Sequence, residues 1–396
     1  MRHPSYHVAM SSPGEAEPKA ATGQAAKSDD DVAARWQGAG LFDPESPNAD
    51  EILEVLRFYA SIGVEPDTHE GIDRDDPIRD INKRILAPGD RFDAAVARER
   101  VGVSAEEFEL LRVASGYAAD DLYTDLDVAS FQGFVLAREF FTTDELLAFT
   151  RTLAATMSNL ADASVSLFRI DVASEMDQRG ATEVDFARKN HEASVVLEQL
   201  FVPMQAMFRR QLLKAISRAD EARITDHTGL SNLNMAVGFV DIVGFTARTE
   251  NMPAGELDQF IRAFEQQAFQ VVEALGGRVV KLIGDEVMFI DANPTNAVRI
   301  AAALIDAFDE LGALPRAGVA YGELISRGGD YYGRVVNLAS RLAGQADAGQ
   351  IVTDDASAAA MTNVEQTTLG PVSLKGFSAE VDLVAISSRR SDEDSG

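Results

Sequence analysis

The chain has 396 residues, 64 of them acidic against 36 basic, and a formal net charge of −28. That balance argues against nucleic acid or an anionic membrane surface as a partner, since phosphate backbones demand a basic patch. With no cysteine there is no disulfide, thiolate nucleophile or zinc–thiolate site, and no apolar run reaches the length of a signal-peptide core or a membrane span; a cytoplasmic location without a transmembrane segment is the expectation.

Residues 1–38 are rich in Ala, Ser, Pro, Gly and charge, so they are expected to form a disordered tail that buries too little apolar surface to offset its ordering entropy. Residues 388–396 read the same way. From 39 to 218 the periodicity is helical. Ile52, Leu53, Leu56, Tyr59 and Ala60 form one apolar stripe. Leu146, Leu147, Phe149, Leu153 and Met157 form another, opened by capping residues at Thr142–Glu145. A third, Leu197, Phe201, Met204, Phe208, Leu212 and Ile216, predicts a connecting helix at about 192–218 that bends at Pro203. The segment thus reads as an all-helical domain, and 219–231 as a polar linker.

From 232 to 387 strands and helices alternate. Met235 to Val240 is a buried strand, and a clean helical stripe runs from Leu257 to Leu275. Arg278–Ile283 and Glu286–Ile290 form a hairpin around Gly284-Asp285. Then follow a helix over 296–311, a strand over 316–325, a helix over 335–342 and a strand at 351–352. The order β-α-β-β-α-β predicts an α+β domain with a ferredoxin-like core and extra elements appended.

Three segments of this domain carry chemistry. Asp241, in Phe239-Val-Asp-Ile-Val-Gly-Phe-Thr246, falls where a strand hands over to a turn. Its carboxylate and the carbonyl of Ile242 could hold a metal, while the amides of Val243, Gly244, Phe245 and Thr246 could cradle phosphates. The alternative is an ordinary helix cap. Asp285 sits in a Gly-Asp turn that needs no function on its own. Adjacent strand ends would bring the two acids together, however, and bare carboxylates that close repel unless a cation lies between them. Two divalent ions, Mg²⁺ or Mn²⁺, resolve that conflict.

Lys281 interrupts an apolar strand, which fits either edge protection or a donor to a base ring nitrogen. With Asp330 as acceptor from an exocyclic amine, the donor–acceptor order suits adenine. Asn337 and Arg341, four apart on a helix, share one face. They could orient a ribose and stabilise charge on a pentacoordinate phosphorus, or simply face water.

Together these residues resemble the catalytic domain of class III adenylyl cyclases, the nucleotidyl cyclase fold, over roughly 232–386. The resemblance makes Asp241, Ile242 and Asp285 metal ligands, Lys281 and Asp330 the adenine-selecting pair, and Asn337 and Arg341 the transition-state pair. Lys375, in Ser-Leu-Lys-Gly, matches a late lysine that contacts terminal phosphates, and Arg327 is a further substrate-binding candidate. It also implies ATP as substrate, 3′,5′-cyclic AMP and pyrophosphate as products, and a homodimer whose two sites each draw on both chains. The N-terminal helical half is similar in position and texture to the regulatory half of soluble actinobacterial cyclases, where it restrains the catalytic pair. A guanylyl cyclase, or a catalytically silent nucleotide-binding sensor, are the alternatives. His191 and His227 flank the connecting helix. A pH input or a small-molecule input to the N-terminal domain stays open beside the plainer reading of solvated histidines.

Overall fold

The computed structural model describes residues 29–64, 90–168, 176, 179–222, 232–245, 249–250 and 252–387. The chain divides into two compact units, Met1–Val202 and Pro203–Gly396.

The first unit is helical in its described residues: α1 (Asp29–Gly38), α2 (Ala49–Ser61), α3 (Ala94–Val101), α4 (Ala105–Ser115), α5 (Asp125–Ala137), α6 (Thr143–Phe168) and α7 (Glu183–Gln199). Local chemistry sets several of the starts. Ser104 and Glu107 cap α4 reciprocally, as Thr124 and Asp127 cap α5. Thr142 and Glu145 exchange the same bonds ahead of α6. One expectation is corrected here. Residues 29–38, read as part of a disordered tail, instead form α1, which buries Val32 and the chain's one tryptophan, Trp36, against Leu56 and Tyr59; residues 1–28 and 388–396 lie outside the described residues. A single large aromatic supplies enough apolar area to order a short polar helix, which average composition conceals.

The connecting helix also differs from expectation. It is two helices, α7 and α8 (Phe201–Glu221), separated at Leu200. Pro203 falls in the first turn of α8, where its missing N–H costs no hydrogen bond. Residues 219–221, read as linker, are the last turn of α8, while 223–231, including His227, lie outside the described residues.

The second unit holds β1 (Asn232–Ile242), α9 (Ala254–Ala274), β2 (Arg278–Ile283), β3 (Glu286–Asp291), α10 (Pro294–Glu310), β4 (Pro315–Arg327), β5 (Asp330–Tyr332), α11 (Arg334–Gln345), β6 (Ile351–Asp354), α12 (Asp355–Ala359), β7 (Glu365–Val372) and β8 (Val381–Ser387). The sheet order is β2-β3-β1-β4-β6-β8-β7, with β5 paired to β4. Its first four strands have the predicted ferredoxin-like arrangement, with β6 added in parallel to β4.

Strand alternation divides the core between the two sheet faces. On one face Val240, Phe289 and Val319 pack against α9 and α10 through Phe264, Ala268, Ile300 and Leu304. On the other Val237, Phe239, Met288 and Ala320 pack against α11 through Val335, Leu338 and Leu342. Gly318 allows α11 to lie close: a Cβ there would stand 2.1 Å from the Ala343 amide and 2.3 Å from the Ala339 carbonyl.

Candidate active site

Asp241 lies near the end of β1, and its place is set by two neighbours at once. Glu286 of β3 stands opposite it on one side and Arg316 of β4 on the other. Directly opposed residues in antiparallel pairs project to the same face. All three therefore share the α11 side of the sheet. Arg316 donates to Oδ2 of Asp241 from Nε at 3.0 Å and from Nη2 at 2.7 Å, and its Nη1 reaches the Gly344 carbonyl at 3.3 Å. Ile242 is buried, and its backbone pairs with Pro315 at the strand end. Gly244 and Phe245 follow in the turn, while Thr246 lies outside the described residues.

Asp285 occupies the two-residue turn between β2 and β3, opened by Gly284 at φ +64. An L side chain rarely adopts that conformation, so glycine permits the tight reversal. The turn brings Asp285 close enough to Asp241 for the two carboxyls to influence one another. Burial, and then the Asp241 charge, push the Asp285 carboxyl above the usual carboxylate range, with Arg316 pulling the other way. Glu286 is pushed up to about 7 by burial and then by the charges of Asp241 and Asp285, against Arg316 and Arg341.

This cluster carries more negative charge than Arg316 offsets, and carboxylate oxygens are hard ligands. Among the described residues no group of three or more His, Cys, Asp or Glu forms a complete metal cage. The donor set fits Mg²⁺ or Mn²⁺, which take one or two carboxylates and complete their shells from phosphate and water.

Lys281 reaches its position through an irregularity. β2 pairs Val279 with Phe289 but Lys281 with Met288, so Val280 is an extra residue. In a regular strand Lys281 would share the face of Val279, under α9 and α10. The bulge turns it onto the α11 face instead. There its Nζ donates to Oδ2 of Asp330 at 2.6 Å, and the Tyr331 amide donates to Oδ1 at 2.8 Å. Burial would raise the Asp330 pKa, but the Lys281 bond, the Tyr331 amide and the positive charges of Lys281 and Arg278 outweigh it and hold the carboxyl low.

Asn337 and Arg341 lie on the exposed side of α11, opposite its buried Val335, Leu338 and Leu342. Lys375 is exposed in the turn between β7 and β8, and Arg327 is exposed at the end of β4. Among the described residues no hydrogen bond or ion pair joins either one to the carboxylates. Glu286 and Arg316 were not singled out from the sequence. Both had a local signal, a charge next to an apolar strand, but their meaning comes from strand pairing.

A family model described as the adenylate and guanylate cyclase catalytic domain matches residues 231–387. An adenylate cyclase of Streptomyces coelicolor is 31% identical over 281 residues, which cover 69% of this chain and 72% of that protein. An adenylate cyclase of Glutamicibacter nicotianae is 27% identical over 342 residues, 80% of this chain and 82% of that one. The crystal structure of an adenylyl cyclase from P. aeruginosa is similar over 41% of this chain and 97% of that chain, with 23% identity and a TM-score of 0.39.

Proposed function

The chain belongs to the family of adenylate and guanylate cyclase catalytic domains, and from that premise we propose that it is an adenylate cyclase, converting ATP to 3′,5′-cyclic AMP and pyrophosphate. The observation that carries the choice of base is the Lys281–Asp330 pair, a donor and an acceptor 2.6 Å apart. Adenine presents a ring-nitrogen acceptor beside an exocyclic amine donor. Guanine presents a carbonyl and a protonated ring nitrogen, and would leave both groups mismatched.

Asp241, Asp285 and the Ile242 carbonyl would hold two divalent cations, Mg²⁺ or Mn²⁺. Such ions, when bound, acidify a hydroxyl and neutralise phosphate charge. Arg316 anchors Asp241 and offsets part of the cluster's charge. The turn at Gly244 and Phe245, with the following Thr246, is assigned to the phosphates, with Lys375 and Arg327 as further phosphate contacts. Asn337 orients the ribose. Arg341 meets the charge that builds at the α-phosphorus, a contribution of roughly 3 kcal/mol for a preorganised donor. The 3′-hydroxyl gives up its proton to solvent water, its oxygen attacks the α-phosphorus in line, and the bond from the α-phosphorus to the oxygen bridging it to the β-phosphate breaks, so that pyrophosphate leaves with that oxygen. Both reacting groups belong to one molecule, so the protein's main task is to fix the ribose and the path of the triphosphate.

The active species is a homodimer with two equivalent shared sites. The exposure of Asn337 and Arg341 supports this reading, as does an apolar stripe on α7 and α8 that stays exposed at Leu197, Phe201, Phe208, Leu212 and Ile216. The helical unit is assigned regulation of that dimer. His191 is one place for an input: its ring packs edge-on to Phe58 at 6.0 Å, and its Nδ1 is buried without a hydrogen-bond partner. Among the described residues no helix is long and apolar enough to cross a membrane.

The test is turnover of the purified chain with Mn²⁺ and either ATP or GTP. Cyclic AMP should form, with GTP used at least about tenfold less well, the discrimination expected of a base read by half-buried hydrogen-bonding groups. Preference for GTP, or no cyclic product from either nucleotide, would overturn the assignment.

A further inference from the structure

Asp330 is held from a second side, away from Lys281. The β4–β5 turn runs through Gly328 and Gly329, both at positive φ, between the paired residues Arg327 and Asp330. β5 has three residues and pairs with β4. So short a strand, entered through two glycines, has little of its own to fix the angle of its first side chain. Arg278 supplies what is missing. It stands on β2, three residues before Lys281. Its Nη1 donates to the Tyr331 hydroxyl at 3.0 Å and its Nη2 to the Gly329 carbonyl at 3.3 Å. Its guanidinium carbon lies 5.7 Å from the centre of the Tyr331 ring. One side chain therefore fastens the residues on both sides of Asp330, and the buried Tyr331 passes the constraint on through its amide at 2.8 Å.

We propose that Arg278 and Tyr331 are positioning residues for base recognition, a clamp that sets the Asp330 carboxylate beside Lys281 in the register adenine requires. The identity of the base rests on the adenylate cyclase reading, whereas the clamp rests on these distances. Lys281 and Arg278 rise from the same strand, so β2 carries both the donor and the device that fixes its acceptor. The bulge at Val280 and the two-pronged guanidinium act together: the first turns Lys281 onto the α11 face, the second holds Asp330 where Lys281 arrives.

The experiment compares Tyr331→Phe, Arg278→Met and Arg278→Lys with the unchanged full chain. It reads KM and kcat with ATP and GTP, and calorimetric affinity for 3′-deoxy-ATP, which cannot cyclise. Tyr331→Phe keeps the buried ring and removes one acceptor, so it decides the matter if Arg278→Met does not fold. Tyr331→Phe and Arg278→Met should each weaken 3′-deoxy-ATP binding by about tenfold, the factor one lost hydrogen bond sets. They should lower the ATP-over-GTP ratio by a similar factor, with the effect on KM exceeding that on kcat. Arg278→Lys should recover part of the loss, because a single ammonium cannot span both acceptors. The proposal is overturned if Tyr331→Phe leaves the affinity and the ratio unchanged, or if ATP and GTP lose equally. Absence of cyclic AMP from the unchanged chain would sink the cyclase reading, while the calorimetry would still decide the clamp.

Discussion

Arg316 and Asp241 face each other across β4 and β1, and the guanidinium closes on a single carboxylate oxygen from Nε at 3.0 Å and Nη2 at 2.7 Å. That contact fixes the direction in which the Asp241 carboxylate points. Replacing Arg316 with Gln should cut the rate of cyclic AMP formation by roughly tenfold to a hundredfold, as expected when a metal-holding carboxylate loses the partner that orients it. Arg316→Lys should regain only part of it, since an ammonium lacks the planar fork. Initial rates at saturating Mn²⁺ and ATP measure both.

Glu286 ties the site to pH. Its folded pKa, about 7, lies above its unfolded value of 4.5. A raised carboxyl pKa means the folded state binds the proton more tightly, so this contribution to stability is complete below about 4.5 and is lost as pH rises through about 7. Without added cation, Glu286→Gln should be more stable than the unchanged chain at pH 8. The gain is on the order of 1 kcal/mol once solvent screening of a partly exposed group is discounted, and it should vanish at pH 4. Urea unfolding at the two pH values checks it. Adding Mg²⁺ should move the Glu286 titration, followed by carboxyl-carbon NMR, downward, because a cation at Asp241 and Asp285 offsets the repulsion that, after burial, raised it.

Gly318 underlies α11. Its nearest would-be contacts are backbone atoms of Ala343 and Ala339, at 2.1 and 2.3 Å from an added Cβ, and these cannot swing aside as a flexible side chain would. Gly318→Ala should therefore destabilise the domain by about 3 kcal/mol, the upper end of ordinary overpacking. It should also lower kcat by displacing Asn337 and Arg341. Denaturant unfolding and turnover at saturating ATP measure the two effects.

If each site draws on two chains, Asp241→Ala and Asn337→Ala should each be nearly inactive alone yet recover when mixed. Random exchange of subunits predicts roughly a quarter of the unmutated activity, because half the dimers would then carry one intact site of two. A mixture that forms dimers without recovering activity would rule out shared sites.

Much of the second unit was legible along the chain because its signals are local. Apolar alternation marks β1 and β3, the Gly284-Asp285 turn marks the hairpin between β2 and β3, and Asn337 and Arg341 fall four apart on a helix whose other side is apolar. The first unit was harder. Trp36 anchors α1 against residues twenty positions away, so its surroundings in sequence say only that the segment is polar. Leu200 separates α7 from α8 although the apolar stripe runs through it without a gap.

The kinds of chemistry present were determined by the residues alone: two acids at strand ends, a lysine in an apolar strand, an asparagine and an arginine on one helical face. What each of them meets was decided by tertiary structure. Arg316 is opposite Asp241, and Glu286 opposite it on the other side, through pairings that span up to 75 residues. Lys281 meets Asp330 through one extra residue in a strand. Strand register fixes which side chains share a face, and register follows from burying both sides of the sheet at once, a condition no short stretch of sequence can express.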